Sequence, residues 1–360
     1  MLCLGIETTC DESALALLED GRLLAEELAS QTDMHALFGG VVPELASREH
    51  LRVLVPLLDR LFAKSGRSPE DLDCIAVARG PGLLGSILIG MGLAKGLALG
   101  TGAALVGIDH LRAHLLAPGL EQQIPYPALG LLISGGHTRI YLIRSPLEFE
   151  LLGRTLDDAV GEAFDKTAKL LNLPYPGGRH IDALAASAEP DKTLFPCPYL
   201  DNDNLDFSFS GLKTSVAQYV HNRPRLKLDR LDPEPDHERI ITENKDLARV
   251  CASLNWSIAR TLYQKGKRGL GYHKEVRSLL VAGGVAANTM IRTTLQDLAR
   301  DHGLPLILPS PGLCTDNAAM IANYGLILIS SGYRHGLDFD AVPRGRAVPF
   351  DYLRSDDHSS

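Results

Sequence analysis

His110 and His114 stand four residues apart in Asp109-His110-Leu111-Arg112-Ala113-His114, where an apolar strand over 103–108 gives way to a helix. Four residues is just over one helical turn, so both imidazoles can leave one face and reach one ion. Far downstream, Cys314-Thr315-Asp316-Asn317 opens another helix, and Asp316 can add an oxygen ligand. Two histidines and a carboxylate with open positions form a divalent transition-metal set, suited to Fe(II) or Zn(II). The motif is not His-Glu-x-x-His. Leu111 occupies the place of the glutamate, which removes the zinc-peptidase general base. The plainer alternative is that both histidines only cap and pack a helix.

Other stretches have the makings of an anion or nucleotide site. Ser134-Gly135-Gly136-His137-Thr138 is a compact turn after an apolar strand. Its glycines admit a ligand close to the backbone, and successive N–H groups there can form an anion nest. Glu162 and Asp165, three apart on a helix, share a face where a carboxylate can accept ribose hydroxyls or simply meet water. Tyr175-Pro176-Gly177-Gly178, followed by Asp182, is a loop entering a helix. There Gly178 can admit a sugar or base edge, and Asp182 can bond it or serve only as a helix N-terminal charge. Residues 281–288, ending Gly283-Gly284-Val285-Ala286-Ala287-Asn288, run strand, double glycine, helix. This is neither a Walker A loop nor Gly-x-Gly-x-x-Gly, so P-loop and Rossmann folds lose support. Asp11 and Glu12, in the first polar turn, are candidate general bases or amine-orienting groups. Phe207-Ser208-Phe209-Ser210-Gly211-Leu212-Lys213-Thr214 either lines a site mouth, with Lys213 meeting an anion, or forms the small core of an insertion.

These pieces need elements to hold them. The chain has 360 residues, 45% hydrophobic and 22% charged, enough for two domains with substantial cores. An approximate duplication organises it. Strands at 2–6, 14–18 and 23–29, with a polar turn at 7–13, are echoed by strands at 128–133, 139–143 and 149–155, with a turn at 134–138. Helices at 43–63 and 84–98 follow the first triplet. Helices at 159–171, 247–268, 288–300 and 316–331 follow the second, with strands at 278–282 and 306–308. Two such units suggest the α/β actin/hexokinase/Hsp70-like (ASKHA) duplicated fold with a central cleft. The expected division is an N-terminal lobe at 1–115, to which part of the C-terminal helix returns, and a C-terminal lobe at 116–350. The second lobe should carry an inserted subdomain at about 190–243, and 351–360 should be a disordered tail.

Net charge is −8, which opposes strong autonomous nucleic-acid binding, since that runs on phosphate neutralisation. Six scattered cysteines without a Cys-x-x-Cys are expected to be reduced thiols of a cytoplasmic protein. Glu7, Asp11 and Glu12 interrupt the N-terminus where a signal peptide would be apolar. The stretch 83–99 carries Lys95 and four glycines and is expected to be a buried helix, too broken to span a membrane.

Taken in order, the motifs resemble the TsaD family (older labels Gcp and YgjD), the bacterial counterpart of the catalytic subunit of KEOPS. The matching stretches are 5–12, 40–48, 80–86, 110–114, 134–138, 161–166, 207–214, 283–288 and 314–319, across roughly nine-tenths of the chain. The resemblance implies an ASKHA fold and transfer of a threonylcarbamoyl group from L-threonylcarbamoyladenylate to N6 of adenosine-37 in ANN-decoding tRNA. It implies a metal on His110, His114 and Asp316, usually assigned as Fe(II), with Zn(II) the alternative. It implies adenylate contacts from Ile133, Ser134, Gly135, Gly136, His137, Asp165, Gly178, Asp182 and Asn288. The implied partners are tRNA, the paralogue TsaB and the ATPase TsaE, with no membrane. An ATP-dependent kinase or carbamoyl-phosphate-type enzyme on the same fold is the competing reading. Three features depart from the family's pattern: Arg179-His180 after Gly178, Asn255-Trp256 on its helix, and the longer charged stretch 223–243.

Overall fold

The computed structural model of the protein describes residues 1–229, 232 and 234–354. The chain divides into two compact units, one formed by Met1–Gln122 with the chain from Thr315 onward, the other by Gln123–Cys314.

In the first unit, β1 (Leu2–Glu7), β2 (Glu12–Glu19) and β3 (Arg22–Ser30) form an antiparallel meander. The short α1 (Thr32–Ala36) and the long α2 (Pro43–Ser65) then cross to β4 (Cys74–Gly80), which pairs parallel to β1. Helix α3 (Leu84–Thr101) leads to β5 (Ala104–Asp109), parallel to β4, and α4 (His110–Leu116) follows it without a loop. All six residues of β1 and all seven of β4 are buried, as expected of strands covered on both faces.

The second unit repeats the plan. It runs β6 (Ala128–Ile133), β7 (Thr138–Ser145), β8 (Glu148–Arg154), α5 (Val160–Leu170), α6 (Gly177–Ala185), α7 (Ser210–His221), α8 (His237–Glu243) and α9 (Lys245–Tyr272). Next come β9 (Ser278–Ala282), α10 (Thr289–Asp301), β10 (Leu306–Ile307) and α11 (Pro311–Cys314). The chain then re-enters the first unit with α12 (Ala318–Ser330), β11 (Tyr333–Arg334) and β12 (Leu353–Arg354). The sheet orders are β3-β2-β1-β4-β5 and, read from its other edge, β8-β7-β6-β9-β10. The duplication expected from the sequence is therefore present strand for strand.

Four expectations need correction. Not only part of the C-terminal helix but the chain from Thr315 onward belongs to the first unit, so the second lobe does not reach 350, because α12 packs on β1, β2 and β4. The stretch 190–243 is no subdomain with its own core. Phe195, Leu205, Phe207, Phe209, Leu212, Val216, Val220 and Leu226 all join the main core of the second unit. Helix α3 is not wholly buried. It turns Ile87, Met91 and Ala94 inward but leaves Leu84, Leu88 and Leu99 exposed, although it has the length and apolarity of a membrane span. The expected tail begins as structure: Asp351 pairs with the buried Arg79, and β12 pairs with β11. Residues 355–360, and 230, 231 and 233 of the charged stretch, lie outside the described residues.

Candidate metal centre and adenylate seat

Helix α4 starts where it does because Asp109 caps it, its carboxylate accepting from the backbone N–H of Leu111 and Arg112. That start fixes the phase of the helix and places His110 and His114 on one face, their rings edge to face with centroids 4.6 Å apart. Asn317 caps α12 in the same way through Met320 N and also bonds Thr315 O, which holds the preceding Asp316 in place. His114 Nε2 lies 2.9 Å from Asp316 Oδ1 and His110 Nε2 lies 3.6 Å from the same oxygen. One ligand atom from each of the three residues falls within 4.8 Å of the others. Two ligand atoms each about 2.1 Å from one ion would stand roughly 3.0–3.4 Å apart in octahedral to tetrahedral geometry; the 2.9 and 3.6 Å pairs lie close to that, and the set, spread over up to 4.8 Å, would draw in around a first-row divalent cation.

The electrostatics fit as well. Glu7, Asp11, Glu12 and Asp316 gather here with little solvent to separate their charges. Burial, then Asp11 and Asp316, push Glu12 up to about 10 without a cation to offset them. Burial alone would lower His110. The carboxylates of Glu7 and Asp316 outweigh it and hold the imidazole at about 9. Such a surplus of negative charge favours a bound cation.

Behind the acidic turn lies a polar network that the sequence did not disclose. Ser13 Oγ lies 2.7 Å from His50 Nδ1, and His50 Nε2 donates to Cys10 O at 3.0 Å. Gln31 links His50 to His35. All four side chains are buried, and together they tie the turn carrying Asp11 and Glu12 to α1 and α2. Glu7 is a further residue without a sequence signal: its carboxylate lies 2.8 Å from His110 Nδ1.

In the second unit the predicted residues sit on adjoining turns and helix starts. The turn Ser134–His137 closes through Ser134 N to His137 O, with His137 N donating to Ser134 Oγ. Thr138 Oγ1 accepts from Val160 N at the start of α5, so each hydroxyl takes one backbone N–H and keeps its own hydrogen to donate. A Cβ on Gly161 would stand 2.5 Å from Gly135 Cα and 2.8 Å from Ser134 O, so only glycine lets α5 begin against this turn. A Cβ on Gly283, at φ 94°, would stand 2.6 Å from Ile133 O, so glycine here brings the segment ending at Asn288 close to the same turn. Asp165 accepts from Gly177 N and seats the start of α6 beside Gly178. Asp182 is occupied: it accepts from Asn255 Nδ2 and from both N and Oγ1 of Thr289. Asn288 caps α10 and also donates to Asn255 Oδ1. Asn255, a departure from the family's pattern, thus joins two of the predicted contact residues. Phe207 and Phe209 are fully buried, so they line no mouth, and Asp157 caps α7 between them and Lys213.

The family model described as TsaD, tRNA N6-adenosine threonylcarbamoyltransferase, matches residues 22–323. A protein of that name from Maridesulfovibrio salexigens is 58% identical over 355 residues, covering 98% of this chain and 99% of the relative. Another of that name from Solidesulfovibrio magneticus is 59% identical over 360 residues, covering 98% and 95%. Among solved structures, the activator of the 2-hydroxyisocaproyl-CoA dehydratase from Clostridium difficile aligns with a TM-score of 0.51 at 16% identity, covering 92% of this chain and 96% of that one. That likeness is one of fold, and the fold is the actin/hexokinase/Hsp70-like one.

Proposed function

Since the chain belongs to the TsaD family of tRNA N6-adenosine threonylcarbamoyltransferases, we propose that it uses L-threonylcarbamoyladenylate to modify N6 of adenosine-37 in ANN-decoding tRNAs. The N6 amine attacks the carbamoyl carbonyl carbon, the bond from that carbon to the adenylate phosphate oxygen breaks, and AMP leaves. The observation that carries this reading is the convergence of His110, His114 and Asp316 on one point.

Adenine N6 is a weak nucleophile, so positioning and charge stabilisation must supply most of the acceleration. Ile133, Ser134, Gly135, Gly136 and His137 form the phosphate end of the adenylate seat, with α5 starting directly against the turn. Asp165 and Gly178 form its side. Asp182 and Asn288, held rigid through Asn255, fix the rim on which the nucleoside rests. His110, His114 and Asp316 would hold a divalent metal, iron first and zinc as the alternative, which when bound supplies Lewis acidity toward carbonyl or phosphate oxygens. Asp11 orients the attacking amine and accepts its proton. Glu12, beside it in the same turn, is the second candidate for that role.

The net charge of −8 fits a chain that binds tRNA with help. Leu51 and Val55 of α2 and Leu84 and Leu88 of α3 are exposed on two helices that pack together, which supports a docked protein partner there. We assign that partner as the TsaB paralogue, with TsaE as the ATPase helper. All six cysteines are free thiols, which supports a cytoplasmic setting.

The test is reconstitution with threonylcarbamoyladenylate, an ANN-decoding tRNA and both helpers, followed by nucleoside mass spectrometry. The reading expects N6-threonylcarbamoyladenosine and AMP in equal amounts. Phosphoryl transfer from ATP to a small acceptor, with the tRNA unmodified, would overturn it.

A further inference from the structure

Glu7 is the last residue of β1, and its side chain is completely buried. A buried carboxylate is costly unless donors satisfy it, and here both oxygens have one. Oε1 accepts from Thr9 N at 2.6 Å, and Oε2 lies 2.8 Å from His110 Nδ1. Oε1 already acts as an acceptor toward the backbone, and with Oε2 acting likewise the hydrogen in the second bond belongs to Nδ1. Neutral His110 must then carry its lone pair on Nε2, the atom that faces Asp316 Oδ1. His114 differs. Its Nδ1 is buried and has no hydrogen-bond partner among the described residues, so nothing behind that ring selects a tautomer.

We propose that Glu7 is a positioning residue for the metal centre, selecting the Nδ1–H tautomer of His110 and thereby presenting Nε2 as a ligand. This rests on the reading that His110, His114 and Asp316 hold a metal. A purely structural Glu7 would need only to cap the turn at Thr9. The distinction lies in the ring. In Glu7→Gln the amide oxygen is needed by Thr9 N, which leaves the NH2 facing His110 Nδ1. Only Thr9 Oγ1, at a longer 3.3 Å, is then left to accept from Nδ1, so the variant favours an accepting Nδ1, the proton moves to Nε2, and the ligand atom is blocked although no ligand has been replaced.

Two measurements on the full chain decide the matter. Zinc titrations of wild type, Glu7→Gln and His110→Ala should show 10–100-fold weaker binding for Glu7→Gln, the range typical of carboxylates behind ligating histidines, and a larger loss for His110→Ala. Histidine 15N NMR of the zinc-loaded wild type should show His110 protonated at Nδ1, a signature that a turn-capping role would not require. Wild-type zinc affinity in Glu7→Gln, or His110 protonated at Nε2, overturns the positioning role alone. If His110→Ala binds zinc like wild type, or wild type does not bind it, the metal reading falls and this proposal with it. Should Glu7→Gln fail to fold, the wild-type spectrum still decides.

Discussion

His114 Nε2 lies 2.9 Å from Asp316 Oδ1 across 202 positions of sequence. The two residues come from the end of a helix and from a loop ahead of another, each fixed by its own capping side chain. The capping residue of α12 is Asn317, not Asp316, so Asp316→Ala should leave the helix start intact. The expected outcome is metal affinity reduced by more than about 100-fold, with little change in the melting temperature of the metal-free chain. Metal analysis of the purified variant checks it. Full occupancy would refute the ligand assignment.

Metal binding should depend on pH in a definite sense. His110 is held at about 9 in the fold against an ordinary 6.5. Without metal, the fold therefore gains from the imidazolium: the gain is complete below 6.5 and is lost as pH rises through 9. It is worth at most about 3 kcal/mol. A metal on Nε2 must displace that proton, so apparent affinity should rise about tenfold per pH unit between 6.5 and 9 and then level off. Calorimetric titrations in buffers of different ionisation heat would count the released proton. Affinity that stays flat from pH 6.5 to 9 would contradict the protonated His110.

The histidine pair was legible because a spacing of four has one geometric meaning on a helix. The duplicated strand triplets were legible because β1 and β6 are near-continuous apolar runs that each end at a polar turn. Glu7 was not, since a glutamate ending a buried strand has no period or spacing that points to a histidine 103 positions away. Asn255 looked only like an odd residue on a long helix, and its bonds to Asp182 and Asn288 arise from packing of α6 and α10 on α9. Helix α7 was missed because Phe207 and Phe209 drew attention to the loop ahead of it, although Leu212, Val216 and Val220 recur every four residues and all point into the core. That the return takes in all of the chain from Thr315 could not be read locally, since it depends on how closely α12 approaches β1 at Gly5.

Gly161 offers a test of the seat that leaves its polar groups alone. A Cβ there meets backbone atoms of the turn rather than a yielding side chain. Gly161→Ala must displace either α5 or the Ser134–His137 turn, at a cost of about 1–3 kcal/mol. Gly211, early in α7, faces open space, so Gly211→Ala should be neutral or stabilising by up to about 1 kcal/mol. Urea denaturation of the two variants checks the contrast, and adenylate binding should weaken only in the first. Equal stability of both would show that the turn is not held against α5.

The charged stretch 223–243 gains a role from His237 in α8. Arg179 Nε donates to His180 Nε2 at 3.0 Å, so that nitrogen carries a lone pair. His180 Nδ1, 2.9 Å from His237 Nε2, is then the donor, and the chain of bonds ties α8 to α6, which carries Gly178 and Asp182. A proton on His180 has no acceptor in this arrangement. Burial, with Arg179 and His237 adding to it, pulls His180 down to about 4 from an ordinary 6.5. Between these values the unfolded chain takes up a proton that the fold refuses, so this contribution to stability is complete above pH 6.5 and declines as pH falls toward 4. The decline is at most about 1.4 kcal/mol per pH unit. His180→Gln should therefore lose less stability than wild type between pH 6.5 and 4.5, measured by denaturant unfolding at each pH. Parallel stability curves for the two proteins would show that the imidazole pair is not what acid disrupts.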